Sequence, residues 1–219
     1  MIRIIRNLLP DDLLSEIRAT LEDASFLEGK LTAFGMAKNV KNNLQLDGAA
    51  NKSLIARLTK AITIHPEFRL YVMPVKLTPI MVSRYDVGME YGIHSDNNVI
   101  SGVRTDVSFT LFLENPAAYE GGELAIDIGH GETKFKLQAG WMVMYPSGPL
   151  HRITPVTAGR RLAAVGWAQS WFRDARQREI VAEMEYVRKM YLAQHGHDRI
   201  ADLLLKSSYN LQRIWIESA

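Results

Sequence analysis

The sequence predicts a mainly β fold with flanking helices, built as an antiparallel sandwich or barrel such as a jelly roll. Two observations support this class. Short runs rich in strand-forming residues follow one another between residues 75 and 167, separated by turns that contain glycine or proline, such as Gly121–Gly122. Helical periodicity occurs before and after this region. Many short strands with closely spaced turns are typical of all-β sandwiches and barrels.

The N-terminal part is predicted to form a strand and two helices that cover the sheet. Residues 2–9 form an apolar run with strand character. The acidic pair after Pro10 favours the first turn of a helix, because carboxylates stabilise the positive end of the helix dipole. In this helix apolar residues recur at helical spacing up to Leu21. The same spacing predicts a second helix over residues 52–64.

The central region is predicted to supply the strands of the core. Together with the N-terminal helices packed on it, this core forms one predicted jelly-roll domain, residues 1–175. The predicted strand segments lie at residues 75–86, 107–113, 123–128, 133–137, 141–145 and 162–167.

The last part of the chain, residues 176–219, is predicted to be a C-terminal helical extension. Gly196 is suited to end its first helix and Asp198 to cap its second. The apolar stripes of these helices are expected to pack on the barrel or on each other, and as an alternative they permit a homo-oligomer. The stripe of the first helix comprises Ile180, Met184, Val187 and Tyr191.

The composition excludes several kinds of site and partner. The chain has 219 residues, with 26 lysines and arginines, 24 aspartates and glutamates, six histidines and no cysteine. Without cysteine there is no disulfide, thiolate nucleophile, cysteine-bound zinc or iron–sulfur cluster. A metal would therefore be bound by histidine and carboxylate, ligands that suit iron, zinc or manganese. A net charge of +2 does not indicate a nucleic-acid partner.

The sequence also predicts a cytoplasmic protein without a membrane segment. No apolar run approaches the roughly 20 residues that span a bilayer. The N-terminal run is basic, but Arg6 interrupts its apolar part and it lacks a small-residue cleavage site.

The strongest chemical signal is a histidine and an aspartate two residues apart. His94 and Asp96 follow a strand-like run, and residues at i and i+2 of an extended chain point to the same side. They can therefore face one metal ion. His151, which begins a later β segment, is the candidate third ligand. Two histidines and one carboxylate on one face of a metal form the facial triad of non-haem Fe(II) oxygenases.

Arg161 is the candidate residue for an anionic cosubstrate. It lies at the start of the predicted strand that follows His151, and an antiparallel hairpin between the two segments would bring them together. A guanidinium presents a fixed fork that matches a carboxylate. Residues 128–169 contain five basic side chains and one acidic one, a bias that suits a dianion and equally suits a solvated rim. Trp141 and Trp167 are expected to form part of the pocket wall.

Several ordered motifs in this region match a known family. They are Tyr85-x-x-Gly88-x-x-Tyr91-x-x-His94-x-Asp96, the run 104–113, Tyr119-Glu120-Gly121-Gly122-Glu123-Leu124, Tyr145-Pro146-Ser147, His151-x-x-x-Pro155-Val156-Thr157-x-Gly159-x-Arg161 and Trp167-x-Gln169-Ser170. With these motifs the sequence resembles the Fe(II)- and 2-oxoglutarate-dependent dioxygenases of the prolyl-4-hydroxylase type, and most closely the bacterial PKHD-type hydroxylases. The resemblance covers about residues 75–175, and the flanking helices also fit the family's layout.

The resemblance implies a double-stranded β-helix core with catalytic Fe(II) bound by His94, Asp96 and His151. It implies that Arg161 binds the distal carboxylate of 2-oxoglutarate and that Tyr85 hydrogen-bonds the same cosubstrate. The implied reaction consumes O2, converts 2-oxoglutarate to succinate and CO2, and hydroxylates a C–H bond, with L-ascorbate keeping the iron reduced. The substrate is an unidentified small molecule or peptide, and the likeness to prolyl hydroxylases suggests a peptidyl proline.

Two other functions would use the same residues. A cupin-like, non-oxidative enzyme would hold zinc or manganese on the triad, but it leaves Arg161 without a specific role. An iron- and 2-oxoglutarate-binding sensor module would use the C-terminal helices as its partner surface. Dependence on oxygen distinguishes a dioxygenase from the cupin-like enzyme. Turnover of a substrate distinguishes a dioxygenase from the sensor module. The sequence leaves open the roles of Arg104, Arg152 and Tyr91.

Overall fold

The computed structural model describes residues 2–32 and 37–216, which form 17 strands, six α-helices and two short 3-10 turns. The strands are β1 (Arg3–Ile5), β2 (Phe26–Glu28), β3 (Lys41–Asn42), β4 (Leu44–Leu46), β5 (Pro74–Leu77), β6 (Met81–Tyr85), β7 (Glu90–His94), β8 (Val99–Ile100), β9 (Val103–Arg104), β10 (Val107–Phe112), β11 (Tyr119–Gly121), β12 (Leu124–Asp127), β13 (Glu132–Phe135), β14 (Met142–Pro146), β15 (His151–Ile153), β16 (Val156–Gly159) and β17 (Arg161–Ser170). The helices are α1 (Asp11–Glu22), α2 (Ala37–Val40), α3 (Lys52–Ile64), α4 (Pro66–Val72), α5 (Ala175–His195) and α6 (Arg199–Trp215).

Two antiparallel sheets form the predicted jelly-roll core. The larger has the strand order β1-β14-β10-β17-β6-β4-β2, with β5 also paired to β17, and the smaller has the order β13-β12-β15-β7-β3. Side chains from both sheets pack together between them, including Phe112 and Tyr145 from the larger sheet and Leu124 and Ile153 from the smaller. The mainly β architecture is therefore confirmed, and its interior lies between the sheets.

The N-terminal helices cover the outer face of the larger sheet. Leucines and isoleucines of α1 and α3 join the same buried cluster as Phe109 and Leu111 of β10. Because side chains alternate along a strand, the neighbouring Ser108 and Thr110 of β10 point the other way, into the jelly roll. Both faces of β10 are buried, so this strand lies in the interior of the protein.

Two predicted strand boundaries differ from the structure. The first strand ends at Ile5 because Asn7 adopts a left-handed backbone with φ of 49°, and the buried residues Leu8 and Leu9 follow in a turn. The predicted strand 75–86 is divided into β5 and β6. The backbone N–H of Trp167 donates to the Thr78 hydroxyl at 3.1 Å, so that the ladder of β17 is interrupted between its pairings with β5 and β6.

The C-terminal helices α5 and α6 pack against each other, and α5 also packs on α4. Asp198 caps α6 by accepting the Ala201 N–H at 2.9 Å, as predicted. The predicted stripe on α5 is offset from the buried face. Ile180 and Val187 are 41% and 52% exposed, whereas Val181 and Ala182 are buried. Within residues 2–32 and 37–216, no helix combines the length and hydropathy of a membrane span.

Candidate metal centre

A pocket opens into the jelly roll between the two sheets. It is lined by β6, β10, β14 and β17 of the larger sheet and by β7 and β15 of the smaller. All five predicted site residues line it, namely Tyr85, His94, Asp96, His151 and Arg161.

His94, Asp96 and His151 meet on one wall of the pocket. His94 ends β7 and is directly opposite His151, the first residue of β15, in the antiparallel register. Asp96 lies two residues beyond His94, and its Oδ1 is 3.7 Å from His151 Nε2. One ligand atom from each of the three residues lies within 4.8 Å of the others. The strand pairing therefore brings together three ligands that are distant in the sequence, and the set suits a first-row divalent metal.

Backbone carbonyls orient both imidazoles. His94 Nδ1 lies 2.8 Å from the Gly92 carbonyl oxygen, and His151 Nδ1 lies 3.0 Å from the Pro149 carbonyl oxygen. A carbonyl oxygen only accepts, so each Nδ1 carries the proton and each Nε2 presents its lone pair. Metal-binding histidines in proteins are commonly oriented in this way.

The electrostatics keep His94 neutral. Burial lowers the pKa of His94 to about 4, and the neighbouring His151 acts in the same direction. The ring of Tyr91 stacks on His94 with 3.7 Å between centroids and an angle of 15°, which excludes water from one face of the imidazole. Burial raises the pKa of Tyr91, so its phenol stays protonated. A neutral imidazole is the form that binds a metal.

Two serines hold the carboxylate of Asp96. The Ser108 hydroxyl donates to Asp96 Oδ2 at 2.6 Å. Ser147 Oγ lies 2.8 Å from Ser108 Oγ, and it must donate because the Ser108 proton is already given to the carboxylate. Both serines are buried. This chain leaves Asp96 Oδ1 directed toward His151 and the metal position.

Replacing Ser108 by alanine is expected to weaken Mn(II) binding roughly 10- to 100-fold, the usual cost of losing the partner of a metal ligand. The Asp96 carboxylate would lose its hydrogen-bond donor and its fixed orientation. Titration with Mn(II), a redox-stable substitute for Fe(II), measures the change. Ser147→Ala is the matched control, with a smaller expected loss because it acts one hydrogen bond further away. Equal affinities for Ser108→Ala and the unaltered protein would contradict this role.

Arg161 lies on the opposite sheet, with its guanidinium buried at the base of the pocket. The residue is 1% exposed, and its Nε and Nη2 have no hydrogen-bond partner among the residues that the structure describes. The guanidinium stacks over Tyr85 and Phe112, at 5.1 and 5.5 Å from the ring centroids. Buried donors without acceptors are costly. A carboxylate of a bound ligand would satisfy them, so this residue fits the distal end of 2-oxoglutarate.

The neighbours of Arg161 leave room for its side chain. Gly122 has a φ of +64°, and a Cβ atom there would lie 3.1 Å from Arg161 Cδ. The Gly121–Gly122 turn thus serves the approach of the arginine as well as the chain reversal. Tyr85 is directly opposite Arg161 in the register of β6 and β17, and burial raises the pKa of its phenol. Tyr85 therefore remains a hydrogen-bond donor.

The predicted antiparallel hairpin between the segments of His151 and Arg161 is wrong. β15 and β17 belong to different sheets, and β16 between them pairs with β11 instead of forming a hairpin with either. His151 and Arg161 face the pocket from opposite walls, because the chain crosses from one sheet of the jelly roll to the other between them. Both residues still reach the same pocket.

Most basic residues of the segment 128–169 do not line the pocket, and one of the two tryptophans expected in the pocket wall lies elsewhere. Of the five basic residues in 128–169, Arg161 alone is among the residues that line the pocket. Arg152 pairs with Glu132 and Arg160 with Glu22. Trp167 lines the pocket as expected, whereas the Nε1–H of Trp141 donates to Asn7 at 2.8 Å, away from it.

The structure also shows the contacts of residues whose roles the sequence left open or did not identify. Arg104 donates to both carboxylate oxygens of Asp106, at 2.8 and 2.9 Å, and so supports the end of β17. Sequence reasoning missed Ser108, Ser147 and Lys41, although all three lie in or behind the pocket. The sequence around Lys41 carries no alternating pattern, because Asn42 and Asn43 are also polar, and the burial of Lys41 is visible only in the structure.

Comparisons with known proteins find relatives over the full length of the chain and similar solved folds. Residues 80–169 match the model of the 2OG-Fe(II) oxygenase superfamily. The chain is similar to a PKHD-type hydroxylase of Picosynechococcus sp., with 45% identity over 97% of this chain and 98% of the relative. It is also similar to a PKHD-type hydroxylase of Acaryochloris marina, with 43% identity over 99% and 100%. Among solved structures, a Pseudomonas putida prolyl-4-hydroxylase has a TM-score of 0.56 at 20% identity, over 77% of this chain and 92% of that one.

Proposed function

Since the chain belongs to the PKHD-type hydroxylases of the 2OG-Fe(II) oxygenase superfamily, we propose that His94, Asp96 and His151 bind its Fe(II) and that Arg161 and Tyr85 bind its 2-oxoglutarate. The observation that carries this assignment is the register of β7 and β15. It places His94 opposite His151, so that one ligand atom from each histidine and one from Asp96 lie within 4.8 Å of one another. The cosubstrate half of the assignment is supported by the buried Nε and Nη2 of Arg161, which have no hydrogen-bond partner among the described residues.

The protein is a dioxygenase that acts on a C–H bond. O2, 2-oxoglutarate and the substrate are converted to succinate, CO2 and the hydroxylated product, with one oxygen atom in succinate and the other in the product. When bound, the iron supplies the redox chemistry that no side chain provides. Asp96 contributes one negative charge, so an Fe(II) centre with two neutral imidazoles stays positive and attracts a 2-oxo acid.

The other residues position the cosubstrate and exclude water. The guanidinium of Arg161 offers two parallel donors to a carboxylate, which defines its orientation as well as its affinity. The protonated phenol of Tyr85 would donate a hydrogen bond to the same ligand. Leu124, Ile153 and Trp167 line the pocket with apolar surface, which limits water around a reactive centre. A non-oxidative enzyme would have no use for the buried Arg161.

Anaerobic addition of Fe(II) and 2-oxoglutarate is expected to produce the weak visible charge-transfer band of a chelated 2-oxo acid, and admission of O2 should then yield succinate. Zn(II) is the matched control, because its filled d shell is redox-inactive and gives neither band nor succinate. A folded protein that forms no band and no succinate with Fe(II) would contradict the assignment. Turnover of a substrate with Zn(II) and without O2 would favour the cupin-like alternative.

Four finer features of the function are also proposed. A peptidyl proline is a candidate substrate because solved structures of this fold include prolyl hydroxylases. Ascorbate is proposed as the reductant that keeps the iron ferrous. The cytoplasm is proposed as the compartment, since 2-oxoglutarate is a metabolite of the cell interior. A homo-oligomer through α5 and α6 is proposed from their exposed apolar side chains, which include Ile180, Val187, Leu203 and Ile214.

A further inference from the structure

Arg178 is a buried arginine in the first turn of α5 that the proposed function does not use. It is 5% exposed, and its Nη1 donates to the carbonyl oxygens of Phe172 and Arg173 at 2.6 and 2.9 Å. Its Nη2 donates to the carbonyl oxygen of Asp106 at 3.4 Å. A cation is unfavourable near the positive end of the helix dipole, and arginine is rarely buried. The stability of α5 alone therefore does not account for this residue.

Asp106 connects α5 to three strands at one end of the larger sheet. It lies immediately before β10, and its backbone N–H donates to the carbonyl oxygen of Ala168 in β17 at 3.0 Å. Its carboxylate accepts the backbone N–H of Ser170 at 2.8 Å. Its carbonyl oxygen accepts from Arg178 and from the backbone N–H of Ser147, which immediately follows β14, each at 3.4 Å. The helix and the end of β14 thus share one acceptor.

Ser147 connects this junction to the metal centre. Its Oγ lies 2.8 Å from Ser108 Oγ, and the Ser108 hydroxyl donates to Asp96 Oδ2 at 2.6 Å. A continuous series of contacts therefore leads from Arg178 through the Asp106 carbonyl and the two serines to the carboxylate of a metal ligand. Each member of this series is fixed by the member before it.

The packing around Arg178 leads to the same site by a second path. Arg178 lines a small cavity together with Tyr145 and Pro146, the two residues that precede Ser147. The Tyr145 ring packs edge-on against His151, with 5.4 Å between the ring centroids, and it also lines the metal pocket. The first turn of α5 therefore lies behind the part of β14 that contacts two of the three metal ligands.

Resting on the proposed function, we propose that Arg178 is a positioning residue for the metal ligand Asp96, and that the C-terminal helical extension is therefore a component of the metal centre. Arg178 holds the Asp106 carbonyl and with it the position of Ser147 relative to Ser108. That arrangement keeps Asp96 Oδ2 occupied and Oδ1 directed to the metal. Since α5 follows residues 80–169, this support comes from outside the part of the chain that matches the superfamily model.

A double-mutant cycle of Arg178→Met and Ser108→Ala tests the inference. Substitutions that act through one series of contacts are non-additive, whereas independent ones add. Mn(II) affinity is measured for each variant well below its Tm. Arg178→Met alone is expected to weaken Mn(II) binding roughly twofold to tenfold, the range for one hydrogen bond. In the Ser108→Ala protein the same substitution should cause no further loss, because the connection to Asp96 is already broken.

Arg18→Met is the matched control for a loss of stability. Arg18 of α1 pairs with the buried Glu114, which does not line the pocket. This variant should lower the Tm and leave the Mn(II) affinity unchanged. Arg178→Lys is the second variant in case Arg178→Met folds poorly. Lysine keeps the charge but lacks the planar fork that spans three carbonyls, so a smaller loss with the same dependence on Ser108 is expected.

The outcomes separate this inference from the proposed function. Unchanged Mn(II) affinity in both Arg178 variants would overturn the inference, and so would an equal loss with and without Ser108. A loss in Arg18→Met as large as that in Arg178→Met would also overturn it, because general destabilisation would then explain both. In each of these cases the triad would still bind the metal. Absence of Mn(II) binding by the unaltered protein would instead contradict the proposed function itself.

Discussion

Asp96→Ala is expected to abolish Fe(II) binding at the candidate centre, with a loss of affinity of more than about 100-fold. Removing only the partner of a metal ligand costs up to about that factor, and this substitution removes the ligand itself. It also removes the one negative charge among the three ligands, so two neutral imidazoles are left to hold a divalent ion. Anaerobic titration with Fe(II), followed through the charge-transfer band with 2-oxoglutarate, measures the effect.

Glu90→Ala is the matched control for this prediction. Glu90 lies on β7, the strand that carries His94, but it is exposed and absent from the residues that line the pocket. Its removal deletes a carboxylate of similar chemistry without touching the metal ligands, so the Fe(II) affinity should not change. Retention of full Fe(II) affinity by Asp96→Ala would show that the metal is held elsewhere.

Arg161→Met is expected to eliminate 2-oxoglutarate binding while Fe(II) or Mn(II) still binds. The variant keeps a side chain of similar length but loses the charge and the two buried donors that a carboxylate would satisfy. A ligand at about 100 times its Kd stabilises a protein by about 2.7 kcal/mol. In the presence of metal, 2-oxoglutarate should therefore raise the Tm of the unaltered protein and leave that of Arg161→Met unchanged.

The neighbouring arginine offers a control one residue away. Arg160 forms an ion pair with Glu22 and does not line the pocket, so Arg160→Met should keep the full Tm increase. Arg161→Lys should show a reduced increase, because an ammonium keeps the charge but loses the two-point contact. An undiminished response to 2-oxoglutarate in Arg161→Met would exclude Arg161 from the cosubstrate site.

Local patterns predicted much of the fold. The helix over residues 52–64 has the predicted bounds, and Asp198 caps α6 as expected, because periodicity and capping depend on neighbours within a few residues. The division of residues 75–86 into β5 and β6 was not predictable in this way. It depends on the hydrogen bond between Thr78 and the distant Trp167, which no local pattern contains.

The two surfaces that were predicted wrongly, the basic residues of 128–169 and the apolar stripe of α5, also depend on contacts between distant residues. The basic residues between 128 and 169 suggested one anionic site, but Arg152 pairs with Glu132, the one acidic residue of that stretch, and Arg160 pairs with Glu22 of α1. The stripe on α5 predicted the helix and missed its buried face, since burial there is decided by the neighbouring helices. Composition and spacing report which residues are present, whereas the direction of each side chain depends on the element packed against it.

The kind of site follows from the amino-acid sequence: without cysteine, a metal has to be bound by histidine and carboxylate, and the motifs around His94, Asp96, His151 and Arg161 indicate the cosubstrate as well. How these residues come together depends on the three-dimensional packing of the strands. The register of β7 and β15 joins the ligands, the crossing between sheets places Arg161 on the facing wall, and the edge strand β3 brings Lys41 beside them. Motifs identify chemical groups, but only long-range strand pairing sets the distances between them, and those distances determine which groups act on one ligand.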